Sequence, residues 1–276
     1  MRKRASALNY IVYCIMIILV LIIIYPLFVS LNASLKTTRD IIIKPFELAK
    51  VPQFVNYKNA LIKGNLLVSY KNSFIITFSS LLLTLIFGSM ASFVFAKQAL
   101  KGKHIIFFYV IIGMMIPVAV LFIPLFKLLK TFGLYNTRAG MILVYTAKSL
   151  PFAVFILTDF IRSIQNDFFE ASEIDGASEI QKFVYIVVPL LLPAIATVGI
   201  FTFRDVWNDY FMPLIFLRDA KIQTLPVGLS RFMGQFENQW GMLYAGLNMV
   251  IFPLLILYYL LSKQFIKGLT TGALKG

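Results

Sequence analysis

The stretch Glu170–Pro193, EASEIDGASEIQKFVYIVVPLLLP, places a short acidic segment directly before a long apolar run. Four carboxylates fall within its first ten residues, at Glu170, Glu173, Asp175 and Glu179. The whole chain has 12 Asp+Glu against 26 Lys+Arg, so these four are a third of its acids. An acidic segment between apolar runs is either a solvated turn or a surface to which another protein docks.

The acidic segment has the pattern of two helices joined by a turn. Asp167, with Glu170 three residues later, suits the start of a helix, and Ser178-x-x-Gln181 is a capping box that starts another. Gly176 lies between them and can adopt the left-handed conformation that ends a helix. We therefore expect a helix, a turn and a second helix that continues into the apolar run.

The composition is that of a membrane protein. Hydrophobic residues make up 59% of the 276-residue chain and charged residues 14%, whereas a soluble domain has roughly 25% charged residues. A helix that spans the bilayer needs about 20 mostly apolar residues. The stretches that qualify are approximately 11–35, 74–96, 105–126, 141–161, 183–212 and 243–262. We therefore expect an all-α integral membrane protein with six transmembrane helices.

The residue types exclude several classes of function. Cys14 and His104 are the only residues of their kinds, which argues against an N/S metal cluster and against a Cys/His catalytic pair. A G-x-x-x-x-G-K-[ST] phosphate loop is absent from the sequence. We expect no catalytic residues, no metal and no cofactor, and the chain is not expected to be an enzyme. The net charge of +14 is spread over all polar connections, which suits a lipid bilayer and not a nucleic acid.

The polar connections are too short to fold as separate soluble domains. We expect residues 1–276 to form a single transmembrane domain. Its expected parts are a membrane core at about 70–262, outer loops at about 36–73 and 217–242, a connecting loop at about 163–182 and a tail at about 263–276. Lys and Arg occur on both sides of this arrangement, so the positive-inside rule does not decide its orientation.

The exact residues of the acidic segment indicate a protein family more specifically than its helix–turn–helix pattern does. E-A-S-x-x-D-G-A-S followed by I-V-V-P-L-L-L-P-A resembles the EAA loop of ABC-importer permeases. The further motifs that are similar to the carbohydrate-uptake branch, of the maltose permease MalG type, are NYKNAL, IPLFKLLKTFGLYNT, LPFAVFIL, WNDYFMPLIFL, TLPVGL and FIKGLTTGALKG. Two residues depart from the family: Ser172 stands where Ala is usual, and Gln165 where Pro is common.

This resemblance implies a type I ABC importer permease fold with a cytoplasmic EAA coupling helix. It implies a permease subunit of a binding-protein-dependent ABC importer for a sugar or oligosaccharide, with ATP hydrolysis on a separate subunit. The implied partners are a second permease subunit in a heterodimer, an ABC ATPase dimer and an extracytoplasmic solute-binding protein. The implied location is the cell (inner or cytoplasmic) membrane, crossed several times, with both termini cytoplasmic.

The resemblance also implies which residues make these contacts. Coupling to the ATPase is expected at Glu170, Ala171, Ser172, Asp175, Gly176 and Ala177. The tail residues expected to reach the ATPase are Gly268, Gly272 and Lys275. The loop residues expected to reach the binding protein are Pro226, Gly228, Gly234, Gln235 and Trp240.

Ionisable and polar residues near the membrane leave two interpretations open. Asn208 and Asp209 are expected in the translocation path, although Arg204 and Asp205 beside them also suit an aqueous vestibule at the outer interface. Lys148 in the fourth span either lines the path or pairs with a second permease. The alternative function is a self-sufficient secondary carrier or channel that uses the acids as an ion path.

Prolines within the apolar stretches are expected to shape the membrane region. Proline lacks an amide hydrogen and clashes with the preceding helical turn, so it breaks or bends a helix. The prolines expected to do so are Pro117, Pro124, Pro189 and Pro193.

Overall fold

The computed structural model describes residues 2–235 and 238–273. Every regular element in those two ranges is helical, as expected from the sequence. The α-helices are α1 (Arg2–Ser34), α2 (Thr38–Ile43), α3 (Val55–Ile62), α4 (Leu66–Lys97), α5 (Lys103–Ile112), α6 (Phe122–Thr131), α7 (Arg138–Arg162), α8 (Asp167–Ile174), α9 (Glu179–Gln181), α10 (Val188–Trp207), α11 (Phe211–Phe216), α12 (Leu225–Gln235) and α13 (Trp240–Ala273). Two 3₁₀ segments, Gly113–Met115 and Val118–Leu121, and a π-helical segment, Lys182–Val187, lie between them.

Five helical segments are long and apolar enough to cross a membrane. They are Asn9–Ser34, Leu66–Lys97, Arg138–Arg162, Glu179–Trp207 and Trp240–Lys263. A sixth span is present if the two parts Lys103–Met115 and Val118–Thr131, bent by 96°, are counted as one. The six expected spans are therefore found if the bent pair is counted as one, and the third is broken beside Pro117, one of the prolines expected to break or bend a helix.

The break in the third span has a local cause. Pro117 disfavours the helical conformation at the residue before it, and Ile116 is extended, with φ −80° and ψ 118°. Pro124 does not break the chain, because it lies in the first turn of α6, where an amide hydrogen has no partner within the helix. Whether a proline interrupts a helix thus depends on its distance from the helix start.

The described chain divides into two compact units. One contains the chain up to Leu67 together with Gly228–Phe252, and the other contains Val68–Val227 and the chain from Pro253 on.

In the first unit, the NYKNAL motif closes the end of α1. The side-chain amide of Asn56 donates hydrogen bonds to the carbonyl oxygens of Ser34 and Lys36, at 2.8 and 2.9 Å. The hydroxyl of Tyr57 lies 2.8 Å from Oγ of Ser34. The last carbonyls of a helix lack partners within it, so this motif caps the first span.

Asn248 of α13 extends the same polar cluster within the first unit. Its Oδ1 accepts a hydrogen bond from Oγ of Ser30 at 3.0 Å, and its Nδ2 donates to the Ser30 carbonyl oxygen at 3.2 Å. Gly241, near the start of α13, lets Asn56 approach the helix closely, because an added Cβ would lie 2.5 Å from Nδ2 of Asn56. Side-chain hydrogen bonds thus join α13 to the end of α1.

The second unit is held by close contact between α4 and α7. A Cβ added to Gly88 would lie 2.9 Å from Cβ of Ala153, so the two backbones approach closely. Oγ of Ser92 donates to the Val154 carbonyl oxygen at 3.2 Å. Small residues and interhelical hydrogen bonds of this kind are typical of helix packing in membranes.

Two hydrophobic clusters fill the second unit. One includes Phe93 of α4, Leu157 of α7, Phe169 of α8 and Leu191 of α10. The other is built from Ile76, Leu129, Met141, Val144, Tyr145, Val206, Met212, Phe216 and Leu217. The first cluster positions the acidic segment, because α8 contributes Phe169 to it.

The two predicted outer loops contain more helix than their composition suggested. Residues 36–73 include α2, α3 and the first turns of α4. Residues 217–242 include α12, in which Leu225, Val227 and Leu229 are buried. These apolar side chains offset the loop-forming effect of the prolines and glycines, so tertiary packing decides the local structure here.

Candidate functional site

The acidic segment forms α8, a turn and α9, as the sequence predicted. Gly176 follows α8 with φ +73°. This left-handed conformation is unfavourable for residues that carry a Cβ, but not for glycine. Ser178 then begins α9 with a reciprocal capping box. Its amide donates to Oε1 of Gln181 at 2.7 Å, and its hydroxyl accepts from the Gln181 amide at 3.4 Å.

One face of α8 is fixed to the second unit. Its buried side chains are Phe169 and Ser172. Nζ of Lys97, at the end of α4, lies 4.5 Å from the centroid of the Phe169 ring. The same nitrogen donates to the Ile164 carbonyl oxygen at 2.9 Å and to Oδ1 of Asn166 at 2.8 Å. The end of α4 therefore positions the start of α8.

Lys182 joins α8 to the span that follows it. Its Nζ lies 2.7 Å from Oε1 of Glu173 and 2.9 Å from Oε1 of Glu179, and its side chain is only 6% exposed. Oε2 of Glu179 also accepts a hydrogen bond from Nε2 of Gln98 at the end of α4. Two of the four clustered acids are therefore bound within the chain.

The other two acids, Glu170 and Asp175, are exposed. Among residues 2–235 and 238–273, neither side chain takes part in an ion pair or hydrogen bond. Apolar side chains lie on the same helices, with Phe168 exposed, Ile174 88% exposed and Ile180 75% exposed. We call these five residues the exposed acidic surface. Exposed apolar groups that are rimmed by polar ones are typical of a protein contact.

The remaining residues predicted for coupling differ in their exposure. Ala171 and Gly176 are exposed and Ala177 is half-buried. Ser172 is buried, and its hydroxyl donates to the Phe169 carbonyl oxygen at 2.7 Å. Ser172 therefore packs towards the chain itself, because α8 turns this side towards the hydrophobic cluster.

Those residues predicted for the tail and the outer loop that the structure describes lie on helices. Gly268 and Gly272 belong to α13, and Lys275 lies outside the described residues. Of the five loop residues, Gly234 and Trp240 are exposed, Pro226 is half-buried, Gly228 is buried and Gln235 ends α12. The prediction of a surface role for Gly228 does not fit its burial, which follows from the packing of α12.

A pocket of about 590 Å³ lies in the second unit. Its polar lining residues are Lys148, Arg204, Asp205, Asn208 and Asp209. Both residues predicted for the translocation path thus lie at one cavity. Asp209 is already bound, since its Oδ2 accepts from the Tyr145 hydroxyl at 3.1 Å and its Oδ1 from the Met212 amide at 3.3 Å.

Metal ligands are not grouped in the part of the chain that the structure describes. No three His, Cys, Asp or Glu side chains there are arranged to hold a metal ion.

Three residues of the acidic segment's surroundings escaped the sequence analysis. Lys97, Gln98 and Lys182 hold α8 and α9 in place. The i, i+3 spacing of Glu179 and Lys182 is a signal that was available. The other contacts join residues 69 and 81 positions apart, and no spacing rule predicts them.

Comparison with known proteins identifies relatives over almost the whole chain. The model of the family described as "Binding-protein-dependent transport system inner membrane component" matches residues 84–270. The "Melibiose/raffinose/stachyose import permease protein MelC" of Bacillus subtilis is 37% identical, over 91% of both chains. The "Diacetylchitobiose uptake system permease protein NgcG" of Streptomyces coelicolor is 32% identical, over 99% of this chain and 90% of that relative.

One solved structure shares the fold. It is a crystal structure of a bacterial ABC transporter involved in the import of the acidic polysaccharide alginate. The TM-score is 0.81 at 24% sequence identity, over 95% of this chain and 98% of that chain. The likeness confirms the ABC-importer permease fold that the resemblance implied.

Proposed function

The chain belongs to the inner membrane components of binding-protein-dependent transport systems, and from this we propose that it forms half of a translocation path for a sugar or oligosaccharide. It is a permease subunit and not an enzyme. The names of MelC and NgcG, which refer to the import or uptake of oligosaccharides, support a carbohydrate as the solute.

The partners that we infer are a second permease subunit, an ABC ATPase dimer and an extracytoplasmic solute-binding protein. The family description, with its dependence on a binding protein, supports the last of these. Both compact units then act as one permease domain in the cell membrane. Because an ATPase uses ATP on the cytoplasmic side, we infer that the exposed acidic surface faces the cytoplasm. If the bent pair is counted as one of six spans, both termini lie on that same side.

The exposed acidic surface carries the proposal of coupling. Glu170 and Asp175 offer carboxylates that can accept charge-assisted hydrogen bonds from Arg or Lys of an ATPase. Ile174 lies between them and offers apolar area. Because Lys97 and Lys182 fix this segment to α4 and to the fifth span, a displacement of α8 by the ATPase moves the spans with it.

Cysteine cross-linking tests this arrangement. A Cys14→Ser background removes the only cysteine of this chain, and Ile174→Cys then places one thiol at a side chain of α8 that is 88% exposed. In membranes that contain the complete importer, a membrane-permeant thiol-to-amine cross-linker is expected to join position 174 to the ATPase. Phe46→Cys, at an exposed position of the proposed outer loop, is the control and is expected to form no such adduct.

The same membranes provide the outcome that would contradict the proposal. Active import without an ATPase adduct at position 174, or an adduct at position 46 instead, would place the ATPase elsewhere. Uptake by the purified chain alone, in vesicles without ATP, would favour the self-sufficient carrier. Three of the four clustered acids lie before the fifth span and Glu179 is its first residue, which argues against that carrier, because an ion path requires acids within the spans.

A further inference from the structure

We propose that this subunit itself holds one sugar unit of a neutral oligosaccharide, in the pocket lined by Lys148, Asp205 and Asn208. The inference rests on the proposed function, because it assumes that the imported solute is a carbohydrate. It adds a solute-contacting site on this chain, with a stated preference for uncharged sugars.

The broken third span forms one wall of the pocket. Val118, Ala119 and Phe122 line it, directly after the break at Pro117. Backbone without helical hydrogen bonds is tolerated within a membrane only where it is buried in protein or faces a water-filled cavity. Discontinuous spans of this kind form the solute sites of many transporters. The break therefore marks this pocket as an aqueous part of the spanning region.

Ionisable side chains on two spanning helices also line the pocket. Such groups are costly in a membrane and mark functional sites. Lys148 lies in the middle of α7, is exposed, and makes no hydrogen bond or ion pair with any residue that the structure describes. Oδ1 of Asp205, on α10, accepts a hydrogen bond from Nη2 of Arg204 at 3.0 Å. Its Oδ2 has no hydrogen-bond partner in the described ranges, so both Lys148 and Asp205 offer groups to a ligand.

The charges around the pocket favour a neutral solute. Lys148 and Arg204 supply two positive charges, and Asp205 and Asp209 supply two negative ones. A hydroxyl group both donates and accepts hydrogen bonds, so this mixture of donors and acceptors matches a polyhydroxylated ring. An acidic sugar would need an excess of positive charge, which this balance does not provide.

The apolar lining and the size of the pocket fit one face of a sugar ring. Phe211, 66% exposed, lies beside Asn208 at the pocket and offers an aromatic surface. The volume of about 590 Å³ falls within the roughly 300–1,000 Å³ of small-molecule sites. The pocket thus has the shape and the chemistry for a monosaccharide unit with its neighbours in the chain.

Uptake by the complete importer in lipid vesicles tests the inference. The neutral probes are raffinose, arabinotriose and diacetylchitobiose, and an alginate trisaccharide is the acidic probe. With the best-transported neutral probe, Lys148→Ala and Asn208→Ala are each expected to lower uptake at least five-fold. ATP hydrolysis stimulated by the binding protein is expected to stay within two-fold of wild type. Lys127→Ala, which removes an exposed lysine of α6 outside the pocket, is expected to leave uptake unchanged.

Thiol labelling gives a readout that does not depend on turnover. In the Cys14→Ser background, Asn208→Cys is expected to react at least three-fold more slowly with a hydrophilic thiol reagent when the neutral probe is saturating. Lys127→Cys is the control and is expected to react at the same rate with and without the probe.

The outcomes separate this inference from the proposed function. Three results would overturn the inference: unchanged uptake by Lys148→Ala, no protection of the thiol at position 208, or transport of the acidic probe alone. If the binding protein still stimulates ATP hydrolysis in these experiments, the proposed function is not affected. Loss of assembly with the second permease in Lys148→Ala would assign Lys148 to a subunit interface and would also overturn it. A wild-type complex in which the binding protein stimulates no ATP hydrolysis overturns the proposed function itself.

Discussion

Nζ of Lys182 lies 2.7 Å from Oε1 of Glu173, and this ion pair ties α8 to the π-helical segment that begins the fifth span. The pair bridges the turn at Gly176, so α8 is held on both sides of that turn. Short π-helical segments often occur at functional sites. The arrangement makes α8 and the fifth span a single mechanical unit.

Replacement of Lys182 tests this connection. Both of its carboxylate partners are more than half exposed, so Lys182→Met leaves no buried charge without a partner and the chain is expected to stay folded. Uptake per ATP hydrolysed is expected to fall several-fold, because α8 no longer moves rigidly with the span. The measurement is uptake and ATP hydrolysis by the reconstituted importer. Lys182→Arg is expected to retain most coupling, and Lys101→Met, at an exposed lysine, serves as the control. Normal coupling in Lys182→Met would refute the mechanical connection.

Charge reversal at Glu170 tests the exposed acidic surface directly. Glu170 is exposed and has no partner among the described residues, so Glu170→Lys is expected to leave thermal unfolding in detergent unchanged. Binding-protein-stimulated ATP hydrolysis and uptake are expected to drop at least ten-fold, because a lysine repels the basic ATPase residue that the carboxylate would bind. Glu47→Lys makes the same change at an exposed acid of the first unit and is expected to be nearly neutral. Full transport by Glu170→Lys would show that Glu170 does not take part in coupling to the ATPase.

The conformation of Gly176 predicts a selective cost of adding a methyl group. At φ +73° a Cβ is strained, so Gly176→Ala is expected to lower stability by about 1 kcal/mol and to reduce coupling. Gly199→Ala is the matched control, because an added Cβ there has no neighbour within 4 Å and lies inside α10. Thermal unfolding in detergent measures the difference. Equal effects of the two substitutions would show that the turn does not depend on glycine.

The close contact of α4 and α7 predicts a pair of compensating substitutions. Gly88→Ala places a Cβ 2.9 Å from that of Ala153 and is expected to destabilise the chain by about 1–3 kcal/mol, as overpacking does. Ala153→Gly in the same chain removes the clash and is expected to recover most of the loss. A double-mutant cycle on thermal unfolding gives the coupling energy. Strictly additive effects would mean that the two helices do not meet at these residues.

The amino-acid sequence by itself determined the membrane class, the helical fold and the helix–turn–helix of the acidic segment. Each of these depends on interactions between residues close in the chain: apolar length, the capping box of Ser178 and Gln181, and the backbone freedom of Gly176. Motif resemblance likewise indicated the family, which the comparisons confirmed.

Only the tertiary structure decided which acids are available. Glu173 and Glu179 are bound by Lys182, whereas Glu170 and Asp175 have no partner among the described residues, and of these differences only the spacing of Glu179 and Lys182 is visible in the sequence. The physical reason is that Lys97, Gln98 and the hydrophobic cluster around Phe169 come from segments far apart in the chain. Their contacts depend on how the helices pack, and packing against distant residues leaves no local pattern that a sequence can show.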